Sequence, residues 1–505
     1  MDISETLKQD VREGRISAET LVDLIADLCR KLEAANQCIE ALKQRIQELE
    51  NQCGGSPTVK VDEPFSTRAE EQRQEARGKK RRKPKPKGRS GRVSTDDKVA
   101  QAERTEAIFP EGVPPDACRS SHVRPVWRLK NGRAVLVAYQ IYRGPGNRYG
   151  QIPGVLGRSE YGLEIVTEIA YLVYIVGLSL DKVCQLLDFF QGLRLRKSQA
   201  NTLLDQLSRD WEREFDSLCT LLAHSLVVHA DETRWSLNSV WAFLSEKARV
   251  FLFGVHKDAA TLQKVLDPAS FAGILISDDA AVYAQFTQSQ KCWAHLLRKA
   301  IKLTLQDPNN ATYRTFTDRL LEIYRAACRV QRDGRHSDAG RARKVVLLDD
   351  AILDLCVANW LPDPPPSHGL DKDFRLLVNE VLRLLIRQEL LTFVTARPTE
   401  QPNGTTKPVD GTNNEAERAL RRVAQARVTG RTSKTLHGAR RQTILTSVLQ
   451  SLRLYLPTFT LVSVLTELKR WWAIGRSCFA EVMEKLALAP PEQSVMDQFL
   501  PGPSG

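Results

Sequence analysis

Apolar positions change their period several times along the chain, and each change marks a different kind of element. From Ile25 to Leu49 they follow a heptad. Ile25, Leu32, Ile39 and Ile46 occupy its a positions, and Leu28, Ala35, Leu42 and Leu49 its d positions. Ile at a with Leu at d favours a parallel two-stranded coiled coil; the same stripe also suits a single amphipathic helix packed on its own domain. Cys53-Gly54-Gly55-Ser56-Pro57 then breaks the helix. Residues 54 to about 105 are polar and poor in aromatics, a composition that predicts an extended or disordered linker.

Alternation replaces the helical period at Val126-Trp127-Arg128-Leu129 and Val135-Leu136-Val137-Ala138-Tyr139, and the intervening Lys130-Asn131-Gly132 predicts a β-hairpin. Residues 162–222 read as helices. Within them, Ser179–Phe190, a Gln191-Gly192 turn and Ser198–Trp211 resemble a helix-turn-helix with Arg194, Arg196 and Lys197 at the joint, although such helix pairs are also common in ordinary cores. Strands are expected at 225–233, 239–246 and 249–256, followed by a helix at 259–266 and a fourth strand at 273–278. A helix leading into a further strand is a crossover, so the sheet should be mixed. Residues 294 to about 393 are mainly helical, with a rigid break at Leu361-Pro362-Asp363-Pro364-Pro365-Pro366. A polar loop follows to about 412, helices resume from Asn413 to about 488, and the Pro/Gly-containing tail is expected to be loose.

At 505 residues the chain exceeds one hydrophobic core, so two to four domains are expected. The pattern divides it into a coiled coil (1–53), a basic linker (54–105), a small β-containing module (106–160), a helical DNA-binding region (161–222), a catalytic domain (223–450) with a helical insertion at about 300–410, and C-terminal helices (451–505). The net charge of +12 is concentrated: Arg77 to Arg92 carries ten Lys and Arg, among them Lys79, Lys80, Arg81, Arg82 and Lys83, and no acid. Such a tract attracts polyanions, DNA phosphates above all, or serves as a solubilising spacer. The ten cysteines show no regular spacing, which argues for a reducing compartment. The most apolar window, Gly162 to Leu180, contains Glu164 and Glu168 and reads as a buried helix. With no signal-like start, a cytoplasmic protein is expected.

Candidate chemistry rests on carboxylates placed where strands leave the core. Asp231, in His229-Ala230-Asp231-Glu232-Thr233, follows the apolar run Leu226-Val227-Val228, and Asp278 follows Gly273-Ile274-Leu275-Ile276-Ser277. An acid in such a place is costly unless paired, hydrogen-bonded or metal-bound. The third candidate, Glu417, lies near the start of a helix whose buried stripe is Ala416, Ala419, Leu420, Val423 and Ala424. Glu415 flanks that stripe on the opposite side, so only one of the two easily faces the site, and the angle favours Glu417. Arg421, one turn on, is placed to pair with it. Carboxylates from two strands and a helix would cage divalent cations and form a phosphoryl-transfer centre.

These motifs carry a resemblance. His229-Ala230-Asp231-Glu232-Thr233, Gly273 to Asp278, Cys292-Trp293-Ala294-His295 and Asn413 to Arg421 follow one another in the order seen in bacterial transposases of the insertion sequence 66 family. The likeness is densest from about 160 to 450. It implies a mixed α+β protein: a ribonuclease-H-like mixed sheet flanked by helices, with a helical insertion, an N-terminal coiled coil and a helical DNA-binding region. It also implies a catalytic triad of Asp231, Asp278 and Glu417 holding two Mg²⁺ or Mn²⁺ ions, with cleavage and strand transfer at an element's terminal inverted repeats. Cys292 and His295 match the family's Cys-x-x-His element and would support the site structurally; a zinc pair there would need two more ligands, which the sequence does not reveal. Arg418, Arg421, Arg422 and Arg431, with Arg427, Lys434, Arg440 and Arg441, would hold the DNA backbone. A homo-oligomer, accessory proteins encoded nearby and association with the bacterial nucleoid are implied as well. The chain departs from the family in two places. Only Cys118 stands where a cysteine-rich module is usual, and Asp279-Ala280 follows Asp278 where Gly and Tyr are common, which leaves Asp278 and Asp279 as rivals. A DNA-binding protein without catalysis and a nuclease that cuts without joining are the other readings.

Overall fold

Alternating and helical periods give way to a five-stranded sheet wrapped by helices in the computed structural model. It describes residues 93–360, 368–491 and 493–499, with eight helical positions between Ala26 and Gln44. The heptad's a and d residues, the basic tract and the proline-rich break at 361–366 lie outside the described residues. Residues 1–88 and 89–505 are separate compact units.

The second unit opens with α1 (Thr95–Ala100) and β1 (Arg104–Ile108), followed by the hairpin β2 (Arg119–Lys130) and β3 (Arg133–Arg143). Residues 95–105, expected to belong to the linker, are therefore ordered. Ser94 accepts the Asp97 N–H at 3.0 Å and Asp96 and Asp97 occupy the first turn, so a cap and favourable charge start the helix locally. The hairpin turns on Asn131 and Gly132, both at positive φ, as a two-residue loop between right-twisted strands requires. β1 adds to β3 in parallel.

Next come α2 (Leu163–Ala170), continued by a π-helical turn to Val176, then α3 (Leu180–Gln191), α4 (Lys197–Asp210) and α5 (Glu212–Ala223). The main sheet follows: β4 (Val227–Arg234), β5 (Ser239–Ser245), β6 (Arg249–Val255), α6 (Ala259–Val265), β7 (Ile274–Ser277) and β8 (Ser289–Lys291). Its order is β6-β5-β4-β7-β8, with β4 antiparallel to β5 and parallel to β7. The crossover through α6 is thus present, and β4, between two partners, carries the first candidate acid. β5 is buried from Val240 to Leu244, the signature of a strand covered on both faces. β8 is too short to show a period.

A helical block follows: α7 (Trp293–Gln306), α8 (Ala311–Arg332), α9 (Asp338–Ala358), α10 (Gly369–Ile386) and the short α11 (Thr392–Thr395), packed around Trp293, Phe316, Phe374 and Phe393. The loop expected at 397–412 contains a minimal hairpin, β9 (Thr399–Glu400) with β10 (Thr406–Lys407). The chain ends with α12 (Asn414–Val428), α13 (Leu436–Tyr455), α14 (Leu461–Ile474), α15 (Cys478–Lys485) and α16 (Val495–Phe499). The tail is not loose as far as Phe499. Met496 is fully buried and Asp216 accepts the Val495 N–H at 2.9 Å, because α5 offers an acceptor and an apolar seat.

β6 is an edge strand, and α13 closes it. Thr443, Ser447 and Ser451 accept the backbone N–H groups of Phe253, Phe251 and Arg249 at 3.0, 2.9 and 2.9 Å. Four helical residues advance about 6 Å and two strand residues about 6.6 Å, so hydroxyls at i, i+4 and i+8 meet alternate edge amides. An edge that would otherwise invite pairing with another chain is thereby satisfied within the molecule. Gly254 lets the helix approach: its φ is +79°, and a Cβ there would lie 3.0 Å from the Ala439 Cβ. Among the described residues no helix is long and apolar enough to cross a membrane.

Candidate active site

β4 supplies the first acid. His229 and Asp231 are two residues apart and share a face of the strand. The β4–β7 register runs Val227–Ile274, Val228–Leu275, His229–Ile276, and carrying it two residues further sets Asp231 level with Asp278. Pairing stops at His229, and one residue beyond, the buried Asn413 side chain donates to the Ala230 carbonyl at 2.7 Å. That bond ties the start of α12 to β4 and brings Glu417 within range of the Asp231 charge.

Asp231 feels the other two acids. Burial pushes the Asp231 carboxyl up to about 7, the neighbouring Glu232 charge adds to this, the Glu232 N–H (2.9 Å) opposes it, and Asp278 and Glu417 raise it further. Asp278 is held by the Ala280 N–H at 3.1 Å. Its rival Asp279 is ion-paired with Arg383 of α10. Glu415 likewise faces elsewhere. Burial disfavours its charge, but Lys407, His229 and Arg249 more than offset that and hold it below its usual range.

Glu417 does not pair with Arg421, as its position on the helix suggested. Arg298 of α7 reaches it at 2.5 Å, while Arg421 is exposed and has no ion-pair partner among the described residues. His295 Nε2 lies 3.8 Å from the same carboxylate. Cys292 caps α7 and accepts the Asn413 N–H at 3.1 Å. One ligand atom each from Cys292, His295 and Glu417 lies within 4.8 Å of the others.

Beneath the acids lies a layer that sequence reasoning missed. Glu232, its side chain 2% exposed, accepts from the Tyr283 hydroxyl and pairs with Lys257. Lys257 sits among Glu232, Asp278 and Asp231, and these charges favour its protonated form. Lys291, buried beside Ser277 with Nζ 3.2 Å from its hydroxyl, has its pKa lowered by burial. Arg298 had a signal, since Cys292, His295 and Arg298 recur every three residues on one helix; Lys257 and Lys291 had none.

A cleft of about 620 Å³ opens beside the acids, lined by Asp278, Asp279, His295, Lys299, Glu380 and Arg383 among others. A larger cavity of about 1580 Å³ between the 150–157 loop, α5 and the C-terminal helices shares no residue with the acidic site.

The candidate DNA contacts divide. Arg418 is exposed and, like Arg421, has no partner among the described residues. Arg422 and Arg431 donate to the Ile175 and Gly177 carbonyls at 2.8 and 2.7 Å while staying partly exposed. Arg427 donates to the Arg234 carbonyl at 3.0 Å. Arg440 and Arg441 are engaged with Asp497 and Asp205, each at 2.7 Å, and so bind the fold together. Arg194 is 90% exposed beside Asp188, Arg196 is exposed, and Lys197 pairs with Asp181 at 2.9 Å. The middle of α4 is turned inward, where Asn201 and Asp205 meet Arg441. Lys79 to Lys83 are outside the described residues.

A family model described as Transposase IS66 family matches residues 158–441, more than half the chain and a span that includes all three acids, Cys292 and His295. The chain belongs to the IS66 transposase family. A comparison with curated proteins finds no match. Membership makes the chain a transposase, an enzyme that acts on DNA.

Proposed function

We propose that this IS66 transposase cuts DNA at the terminal inverted repeats of its element and joins the freed ends to target DNA, using Asp231, Asp278 and Glu417 as divalent-metal ligands. The observation that carries the reading is the Asp231 carboxyl on β4, pushed up to about 7 by burial first and raised further by the charges of Glu232, of Asp278 at the end of β7 and of Glu417 on α12. An all-oxygen donor set that repels itself fits Mg²⁺ or Mn²⁺. The sheet order, three antiparallel strands continued by two parallel ones, supports a ribonuclease-H-like core.

The chemistry such ions supply is Lewis-acid activation of the attacking oxygen and neutralisation of the leaving one. The protein's own part is to hold the acids still. The Glu232 and Ala280 N–H groups orient Asp231 and Asp278, and Asn413 fixes the helix bearing Glu417. In cleavage, a water oxygen bonds to phosphorus as the bond to the 3′ oxygen breaks, and the proton passes to solvent. In joining, the 3′-hydroxyl attacks a target phosphodiester, one P–O bond replacing another. Arg418 and Arg421, on the same helix as Glu417 and unpaired among the described residues, are placed to hold backbone phosphates. The proposal includes the basic tract as a further phosphate contact, Arg194, Arg196 and Lys197 as the exposed edge of a DNA-binding helix pair, and self-association through residues 25–49.

The test is cleavage and strand transfer on DNA carrying the element's ends, in Mg²⁺ or Mn²⁺, with Asp231→Asn, Asp278→Asn and Glu417→Gln beside wild type. Each variant should bind the ends and do no chemistry. An active Asp278→Asn with a dead Asp279→Asn would move the site by one residue. Cutting without joining would leave a nuclease, and binding without either step a non-catalytic DNA-binding protein.

A further inference from the structure

Glu417 has two sets of neighbours. One is acidic, with Asp231 within range of its charge; the other, from α7, is chemically different. We propose that Cys292, His295 and Glu417 form a binding site for one thiophilic divalent cation, Zn²⁺ by preference, beside the carboxylate centre and sharing Glu417 with it.

Three observations carry this. The first is spacing: a sulfur, an imidazole nitrogen and a carboxylate oxygen within 4.8 Å of one another are close enough for one ion to bind all three. The second is the environment of the sulfur. Cys292 is buried at the N-cap of α7, and Asn413 donates its N–H to Sγ at 3.1 Å. That bond fixes the sulfur within reach of His295 and Glu417; burial pushes the thiol up, so an ion binding there displaces its proton. The third is His295, whose Nδ1 is buried with no hydrogen-bond partner and whose Nε2 is turned to Glu417. An imidazole held between a thiol and a carboxylate, with one nitrogen unspent, has the features of a ligand.

The donor set selects the ion. Sulfur, nitrogen and oxygen together suit Zn²⁺ and exclude Mg²⁺, which takes oxygen alone. Three protein ligands leave a fourth position for water, and His295 also lines the cleft beside Asp278. The ion would take over from Arg298 as the charge partner of Glu417. If Glu417 also serves the carboxylate centre, as proposed above, zinc and the reaction compete for it, and zinc inhibits transposition.

The binding test needs neither DNA nor activity. Reduced, metal-free full-length protein is titrated with Co²⁺, watching the ultraviolet thiolate-to-cobalt charge-transfer band, and Zn²⁺ is then competed against a chromophoric chelator. One ion per chain is expected with that band. Cys292→Ser should abolish the band, and His295→Ala and Glu417→Gln should keep it with affinity lowered more than about tenfold, the least that losing even an outer-shell partner costs. Cys478→Ser, a buried cysteine outside the cluster, should change nothing. A band that survives Cys292→Ser, or a wild type that takes up no ion, overturns the site; circular dichroism checks that each variant is folded. In a second arm, zinc is titrated into the Mg²⁺ reaction, each protein scored against its own zinc-free rate. Zinc bound at Cys292 without inhibition would leave the site standing and count against Glu417 as a catalytic ligand.

Discussion

Asn413 is the smallest change that should separate the two halves of the candidate site. Its side chain is fully buried, makes no cap for α12, and instead donates to the Ala230 carbonyl at 2.7 Å, next to Asp231 and four residues before Glu417. Asn413→Ala leaves that buried carbonyl short of a donor, at a cost of about 1–3 kcal/mol. For a domain of this size each kcal/mol lowers Tm by roughly 2–4 °C, so a drop of several degrees is expected. Asn413→Asp should be worse at neutral pH. It keeps the shape but sets a carboxylate oxygen against a carbonyl oxygen, and an isolated buried charge costs more than an unmade hydrogen bond. Acid should partly rescue it, because a protonated carboxyl can donate again. Scanning calorimetry at pH 5 and 8, with strand-transfer rates measured well below each Tm, gives both readouts. The expected ranking is wild type, then Ala, then Asp at pH 8, with the Asp deficit shrinking at pH 5. Activity should fall further than the folded fraction does, because Glu417 loses its registration on β4. A Tm and rate for Asn413→Ala equal to wild type would refute the idea that this bond joins helix to strand.

Three other outcomes follow from the fold. Ser447→Ala strips an acceptor from the β6 edge and should cost about 1–3 kcal/mol, while raising amide exchange at Phe251 above its neighbours in β5; uniform protection would contradict the edge-closing role of α13. Gly254→Val combines a left-handed backbone with a Cβ 3.0 Å from that of Ala439, and about 2–5 kcal/mol of destabilisation is expected from urea titration, against little change for an exposed control such as Gly334→Ala. Asp216, which holds the C-terminal segment, is pushed by burial up to about 6 from an ordinary 3.8. The fold thus prefers its protonated form, whose stabilisation is present below about pH 4 and is lost as pH rises through 6. Asp216→Asn, which retains the acceptor for Val495, should gain on wild type across that window by about 1 kcal/mol once partial exposure is discounted, and a pH-independent difference in Tm would argue against it.

Local pattern carried much of this protein. Strand-like apolar runs marked β4 to β7 to within two residues at each end, and alternation at 126–129 and 135–139 with Asn131-Gly132 announced the hairpin, though β2 and β3 run several residues further; acids at the ends of apolar runs singled out Asp231 and Asp278. Angular position on α12 separated Glu417 from Glu415, because a helix presents each residue at a set angle to its buried stripe. Other features required the folded chain. Three-residue β8 is too short to show a period. The partner of Glu417 is Arg298, 119 residues away, and no local rule selects it over Arg421 one turn on. The same holds for Asn413 reaching β4, for the hydroxyls of α13 meeting β6, and for Asp216 seizing the C-terminal segment. Periodicity records which face of an element is buried, since burial acts on each residue where it stands. Which distant group meets that face is decided only when the elements pack, and the chemistry at Glu417, between aspartates on one side and a thiol and imidazole on the other, arises there.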